Sequence, residues 1–232
     1  MFQTWKMVPE DTRRGALDSR TFAALCGARQ PLGIKKVNVY IVTLSDELCG
    51  KNGVRFNQPC TEALLRSLIL ESPRSISNFF KTVSLGRWVI DGVQVFSVTI
   101  PTNVGLFNSF SAVNDKYGFK PADYHIFFFP DQLDQFAGGA GGYGQVGGVQ
   151  AWIRGCSFRV SAQEGAHNYG LQHSGGYPLA GGFSEYADYS AIMGSLTSDP
   201  NIPLTPGSGW VGLSCSQLFQ LTWIRVIGPR LR

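Results

Sequence analysis

The feature that most constrains this chain is the run Gln163-Glu164-Gly165-Ala166-His167-Asn168-Tyr169-Gly170-Leu171-Gln172-His173, a Q-E-x-x-H-x-x-G-x-x-H pattern. Residues four apart share a helix face, so Gln163 and His167 project toward one point. Glu164 lies one step round the helix, where its carboxylate reaches a water at that point rather than the point itself. Gly170 accepts the left-handed conformation at which helices commonly end, and the resulting turn returns His173 from outside the helix. Two imidazoles and a carboxamide around one point, with a carboxylate beside them, suit a bound cation with a general base next to it. An amide oxygen is a weaker donor than an imidazole, so Gln163 should hold an ion less tightly than a third histidine would. His167 and His173 are two of the chain's three histidines, which makes their spacing hard to read as accident.

One residue separates this run from H-E-x-x-H-x-x-G-x-x-H, the signature of the metzincin class of zinc endopeptidases. Downstream, Asp188-Tyr189-Ser190-Ala191-Ile192-Met193-Gly194 falls where such a site has a methionine turn. Upstream lie Gly144-Gln145-Val146-Gly147-Gly148 and Ala151-Trp152-Ile153-Arg154-Gly155. Together these segments resemble the gametolysin family, algal cell-wall-lytic metalloendopeptidases, some of which carry Gln in place of the first His. The resemblance is sharpest over about residues 123 to 195. It implies an α+β, metzincin-like zincin domain over residues 34–232, with a twisted mixed β-sheet, an active-site helix, a glycine turn to the third ligand and a methionine turn at 188–194. It implies Glu164 as the catalytic base and His167, His173 and Gln163 as metal ligands. Gly147, Gly148 and Trp152 would form the substrate edge, and Gly170 and Met193 would support the site. Zinc is the implied metal, with copper the other candidate because an oxygen donor alters the preferred geometry. The implied partner is a protein substrate, a cell-wall or matrix glycoprotein rich in proline and hydroxyproline. The implied location is extracellular or in the cell wall.

Composition narrows the alternatives. A chain of 232 residues is long enough for one domain with a sizeable core. The net charge of +4 is small and its basic residues are scattered, so no nucleic-acid footprint is expected. No apolar run approaches a membrane span. Residues 1–33 read as a leader segment with a short helix near Thr21–Cys26. Met1–Arg20 has no apolar core of the signal-peptide kind, so for an exported family an incomplete N-terminus is expected. Five cysteines without a C-x-x-C pair argue against a thiolate metal site. Cys49 and Cys60 are placed to close a short loop; buried free thiols are the equal alternative.

Along the chain, Ile34–Val42 alternates as a strand, and Thr61–Glu71 carries Leu64, Leu65, Leu68 and Ile69 at helical spacing. A second short helix is expected over Ser75–Thr82. Trp88–Ile100, broken by Asp91-Gly92, reads as a hairpin or two strand pieces. Gly105–Tyr117 is expected as a helix with Leu106, Phe107, Phe110 and Val113 inward. Tyr124–Phe129 reads as a strand buried on both faces, with His125 a core residue. Ser198–Gly209 is loop, and a closing helix is expected at about 214–224.

Two segments admit a second reading. Gly142–Gly147 satisfies G-x-G-x-x-G, but a dinucleotide site needs a helix directly after the third glycine, and a strand-like stretch follows instead. Ser161–Glu164 fits a capping box, which would fold Glu164 back onto the helix start; a helix beginning near Ser157 or Phe158 would free it. With Glu164 so engaged, the chain would be a non-catalytic, matrix-binding relative with a weakened metal site.

Overall fold

A computed structural model describes residues 32–45, 58–101, 103–118, 121–131, 140–175, 182–188, 191–194, 213 and 217. The leader up to residue 31, Cys49, the 198–209 loop and all of the closing helix except Gln217 lie outside the described residues. Strand β1 (Gly33–Leu44) is followed by helix α1 (Glu62–Arg66), which Ser67–Glu71 continues as a π-helix. Helix α2 (Ile76–Val83) leads to strand β2 (Trp88–Ile100). A 3₁₀ turn at Leu106–Asn108 opens helix α3 (Ser109–Tyr117), and strands β3 (Tyr124–Phe129), β4 (Gly142–Gly144) and β5 (Gln150–Arg154) follow. Helix α4 (Phe158–Asn168) comes next. The result is mixed α+β, as expected.

The five strands form one sheet in the order β2-β1-β3-β5-β4, parallel throughout except for β4. Every residue of β3 is buried, because helices cover both faces of the sheet at its centre. Strand alternation sorts the core into two halves. Val37, Val39, Ile126, Phe128 and Ile153 face one side with residues of α1, α2 and α4. Tyr40, Val42, Phe127, Phe129 and Trp152 face the other, under α3. His125 belongs to this interior: it is 1% exposed, and its Nδ1 lies 3.0 Å from the Tyr40 hydroxyl. Burial lowers its pKa to about 4.

Both early helices start where the sequence places a cap, with Thr61 Oγ1 accepting from Leu64 N and Ser75 Oγ from Asn78 N. Of the helical-spacing residues, Leu65 and Ile69 are fully buried, whereas Leu64 faces solvent.

Four expectations need correction. Trp88–Ile100 is one strand, not a hairpin: Lys35 pairs with Ile90 and Lys36 with Gly92, so Asp91 is the extra residue of a bulge. Phe107 points outward, 61% exposed, with its ring edge-on to Trp152 at 4.9 Å. The 3₁₀ turn at that point shifts its direction relative to a continuous helix. Cys60 is not paired with Cys49, nor is it a free thiol; it is bonded to Cys156, 96 residues away. The two flank the starts of α1 and α4 on one side of the sheet, which brings their Cα atoms to 5.7 Å, within disulfide range. Finally, β5 is not the border of the cleft. It is paired on both sides, and among the described residues the sheet ends at β4.

Among the described residues, no helix is long and apolar enough to cross a membrane. Gly147 is followed by β5 rather than by a helix, so the glycine pattern has no helix N-terminus to offer a pyrophosphate.

Candidate metal and catalytic site

Helix α4 begins one turn before the Q-E-x-x-H run. Its N-cap is Ser157, whose hydroxyl accepts from Val160 N. Ser161 is therefore an interior helix residue, and the capping-box geometry does not form. Glu164 is instead turned toward β4, where its carboxylate receives the Gly144 N–H. Strand β4 lies tight against this helix. A Cβ at Gly144 would collide with the Glu164 carbonyl oxygen and stand 2.8 Å from His167 Cβ, so only glycine allows the approach.

The end of α4 is fixed from two sides. Gly170 adopts φ +88°, and its N–H bonds the His167 carbonyl at 2.8 Å. Gly147 N–H bonds the same carbonyl at 2.9 Å, and Asn168 Nδ2 donates to Gln145 O and Gln150 O at 3.0 and 2.8 Å. Gly147 thus ties the β4–β5 turn to the helix. The left-handed turn also brings the Leu171 carbonyl to 2.7 Å from His167 Nδ1. That acceptor places the ring proton on Nδ1 and leaves the lone pair on Nε2.

His173 is oriented in the same manner. Its Nδ1 donates to Glu185 Oε1 at 2.6 Å, which in the neutral ring puts the lone pair on Nε2. The two Nε2 atoms stand 3.1 Å apart. Two lone pairs facing each other repel unless a cation lies between them. Imidazole nitrogens bound at zinc distances on a tetrahedral ion are about 3.3 Å apart, so the pair fits such an ion. Burial holds His167 below the usual imidazole range, which favours the neutral, ligating form.

Glu164 Oε2 is 3.9 Å from His167 Nε2, too far for a hydrogen bond and right for one intervening atom. Burial pushes its carboxyl up to about 7, with the Gly144 N–H acting in the opposite direction. Glu164, His167, His173 and half-buried Gln163 line a single cleft of about 500 Å³, together with Glu185 and Tyr186. Gly147, Gly148 and Trp152 do not line it. Among the described residues, no group of three or more His, Cys, Asp or Glu could hold an ion.

The residues after His173 are strapped to the methionine segment. Ser174 N–H bonds Met193 O at 2.7 Å, and Ser174 Oγ bonds Asp188 Oδ2 at 2.6 Å. Met193 is fully buried, and a Cβ at Gly194 would overlap the Asp188 carbonyl. Glu185 carries no sequence signal, and Tyr186 reads from sequence as a packing residue, with donation to an oxyanion its other reading. Tyr186 Oη lies 3.0 Å from His173 Nε2, and its ring is tilted over the imidazole at 4.1 Å. No spacing rule links residues 185 and 186 to a helix-borne motif; only their place just before the methionine segment could have drawn notice.

A mixed α+β domain with a five-stranded mixed sheet fits a peptidase fold, and paired, Nδ1-anchored imidazoles beside a buried carboxylate fit a metal-dependent one. Residues 110–215 match the model of the gametolysin peptidase family, M11, which supports membership of the gametolysin family. That span runs from α3 through α4 to the methionine segment, and peptidases of this family depend on a metal. No curated protein matches the chain.

Proposed function

We propose that the protein is a metal-dependent endopeptidase that cleaves extended segments of cell-wall or matrix glycoproteins, with Glu164 as general base. The observation that carries this reading is the 3.1 Å approach of the two Nε2 atoms beside the Glu164 carboxylate. His167 and His173 would hold the ion, with Gln163 at the same cleft. Zinc, or copper in its place, would supply Lewis acidity to the scissile carbonyl and to the attacking water.

Glu164 takes the water proton on a carboxylate oxygen and passes it to the leaving amine nitrogen. Its buried position, with a carboxyl near neutrality, suits both halves of that transfer. Strand β4 supplies the substrate edge in place of Gly147, Gly148 and Trp152. Arg154 N bonds Gly141 O and Gln145 N bonds Gln150 O, so by the antiparallel alternation the backbone groups of Gly142 and Gly144 face away from β5; the Gly144 N–H is held by Glu164, which leaves both groups of Gly142 and the Gly144 carbonyl for a substrate. An extended peptide laid along them would add a strand to the sheet. The Cys60–Cys156 bond supports an extracellular location, because disulfides persist in oxidising compartments.

A non-catalytic, matrix-binding module would have Glu164 folded onto the helix start. The Ser157 cap and the Gly144 contact favour the enzyme instead. The test is Glu164→Gln assayed on casein and gelatin, with metal content measured by elemental analysis. Cleavage should fall at least a hundredfold while the metal stays bound; cleavage at the native rate removes Glu164 from the mechanism.

A further inference from the structure

His173 Nε2 is approached from two directions, by His167 Nε2 at 3.1 Å and by the Tyr186 hydroxyl at 3.0 Å. Both distances are those of donors that share an ion as well as those of hydrogen bonds. The placement of Tyr186 is built into the fold. Asp188 N–H bonds Ser174 O at 3.1 Å, and Glu185 grips the opposite nitrogen of the same imidazole. Residues 185 and 186 therefore flank His173 on both ring nitrogens. The donor set is short of one strong ligand, because position 163 offers only a neutral carboxamide. A phenolate is an anionic oxygen donor like the carboxylates that divalent zinc accepts, and it would offset part of the ion's charge beside two neutral imidazoles.

We infer that Tyr186 is the third protein ligand of the ion, through Oη, in the place where the family pattern has the first histidine. This inference rests on the metal-dependent reading above. When the ion binds, the phenol O–H breaks, the oxygen bonds the ion and the proton leaves to solvent, which reaches the 39% exposed side chain.

The experiment compares the whole chain with Tyr186→Phe. Zinc affinity is measured by competition with a chromophoric chelator, and the copper(II)-loaded proteins are examined for phenolate-to-metal charge-transfer absorption. The expected result is a charge-transfer band in the wild type, absent from Tyr186→Phe, and a loss of zinc affinity greater than about 100-fold. Loss of an outer hydrogen-bond partner typically costs about 10–100-fold, so a drop in that range without a band in the wild type overturns ligation. Equal zinc affinity in the two proteins overturns it as well, while leaving the metallopeptidase reading intact. A wild type that takes up neither ion overturns both. Should Tyr186→Phe fail to fold, the wild-type copper spectrum alone decides: a charge-transfer band supports ligation, and its absence with copper bound overturns it.

Discussion

The Glu185 carboxylate holds the Nδ1–H of His173 at 2.6 Å, and so aims the opposite nitrogen at His167. Such a partner orients a ligand ring and raises its basicity. Glu185→Ala should therefore weaken zinc binding about 10–100-fold. Glu185→Gln, which keeps an acceptor oxygen, should lose less. Chelator competition measures both, and an unchanged affinity in Glu185→Ala would show that His173 needs no anchor.

Gln163 lies one helical turn before His167 and lines the same cleft. Gln163→His puts a third imidazole on that face and should tighten zinc binding, because imidazole is the better donor for this ion. The same chelator titration reads the change. Equal affinities in the two proteins would mean that position 163 does not touch the ion.

The Cys60–Cys156 bond joins the approaches to α1 and α4 across 96 residues of chain. Closing a loop of that length removes much unfolded-state entropy, and losing such a bond typically costs about 2–5 kcal/mol. The double variant Cys60→Ala/Cys156→Ala should lose stability in that range in urea denaturation. Because Cys156 precedes the Ser157 cap, peptidase activity should be the more heat-sensitive property of the variant.

Gly144→Ala drives a methyl group into the Glu164 carbonyl and against His167 Cβ. Overpacking of this kind costs about 1–3 kcal/mol. Since β4 must move off α4 to relieve it, zinc affinity should fall along with the melting temperature. A variant with native melting and native zinc binding would contradict the close approach.

His125 makes stability depend on pH. Its folded pKa of about 4 lies below the ordinary 6.5, so the unfolded chain binds the proton more readily. The stabilisation is complete above about pH 6.5, is lost as pH falls toward 4, and changes no further below that. Between pH 7 and 4.5 the loss is of order 2–3 kcal/mol. His125→Gln keeps a polar partner for Tyr40 and removes the titration, so its urea midpoint should change less over that interval than the wild type's. Parallel losses in the two proteins would assign acid sensitivity to other groups.

Much of the site is legible in the chain because it is local. Gln163, Glu164 and His167 are placed by helical spacing, and Gly170 and His173 by the turn that ends the same helix. The burial of β3 on both faces follows from its unbroken apolar run. The asymmetry between Leu65 and Leu64 does not, since adjacent helix residues diverge and only packing on the sheet selects which one is buried; the outward Phe107 does not either, since a 3₁₀ turn shifts which face a residue meets.

The sequence by itself set the spacing of the histidines, the glycine that turns His173 back, and the mixture of strands and helices, because each depends on neighbours within a few turns. The tertiary structure decided that β4 and not β5 borders the cleft, that Cys60 pairs with Cys156, and that Glu185 and Tyr186 flank His173. These are contacts between segments distant along the chain. Backbone periodicity carries no information about them; sheet order and the packing of α4 under β4 do.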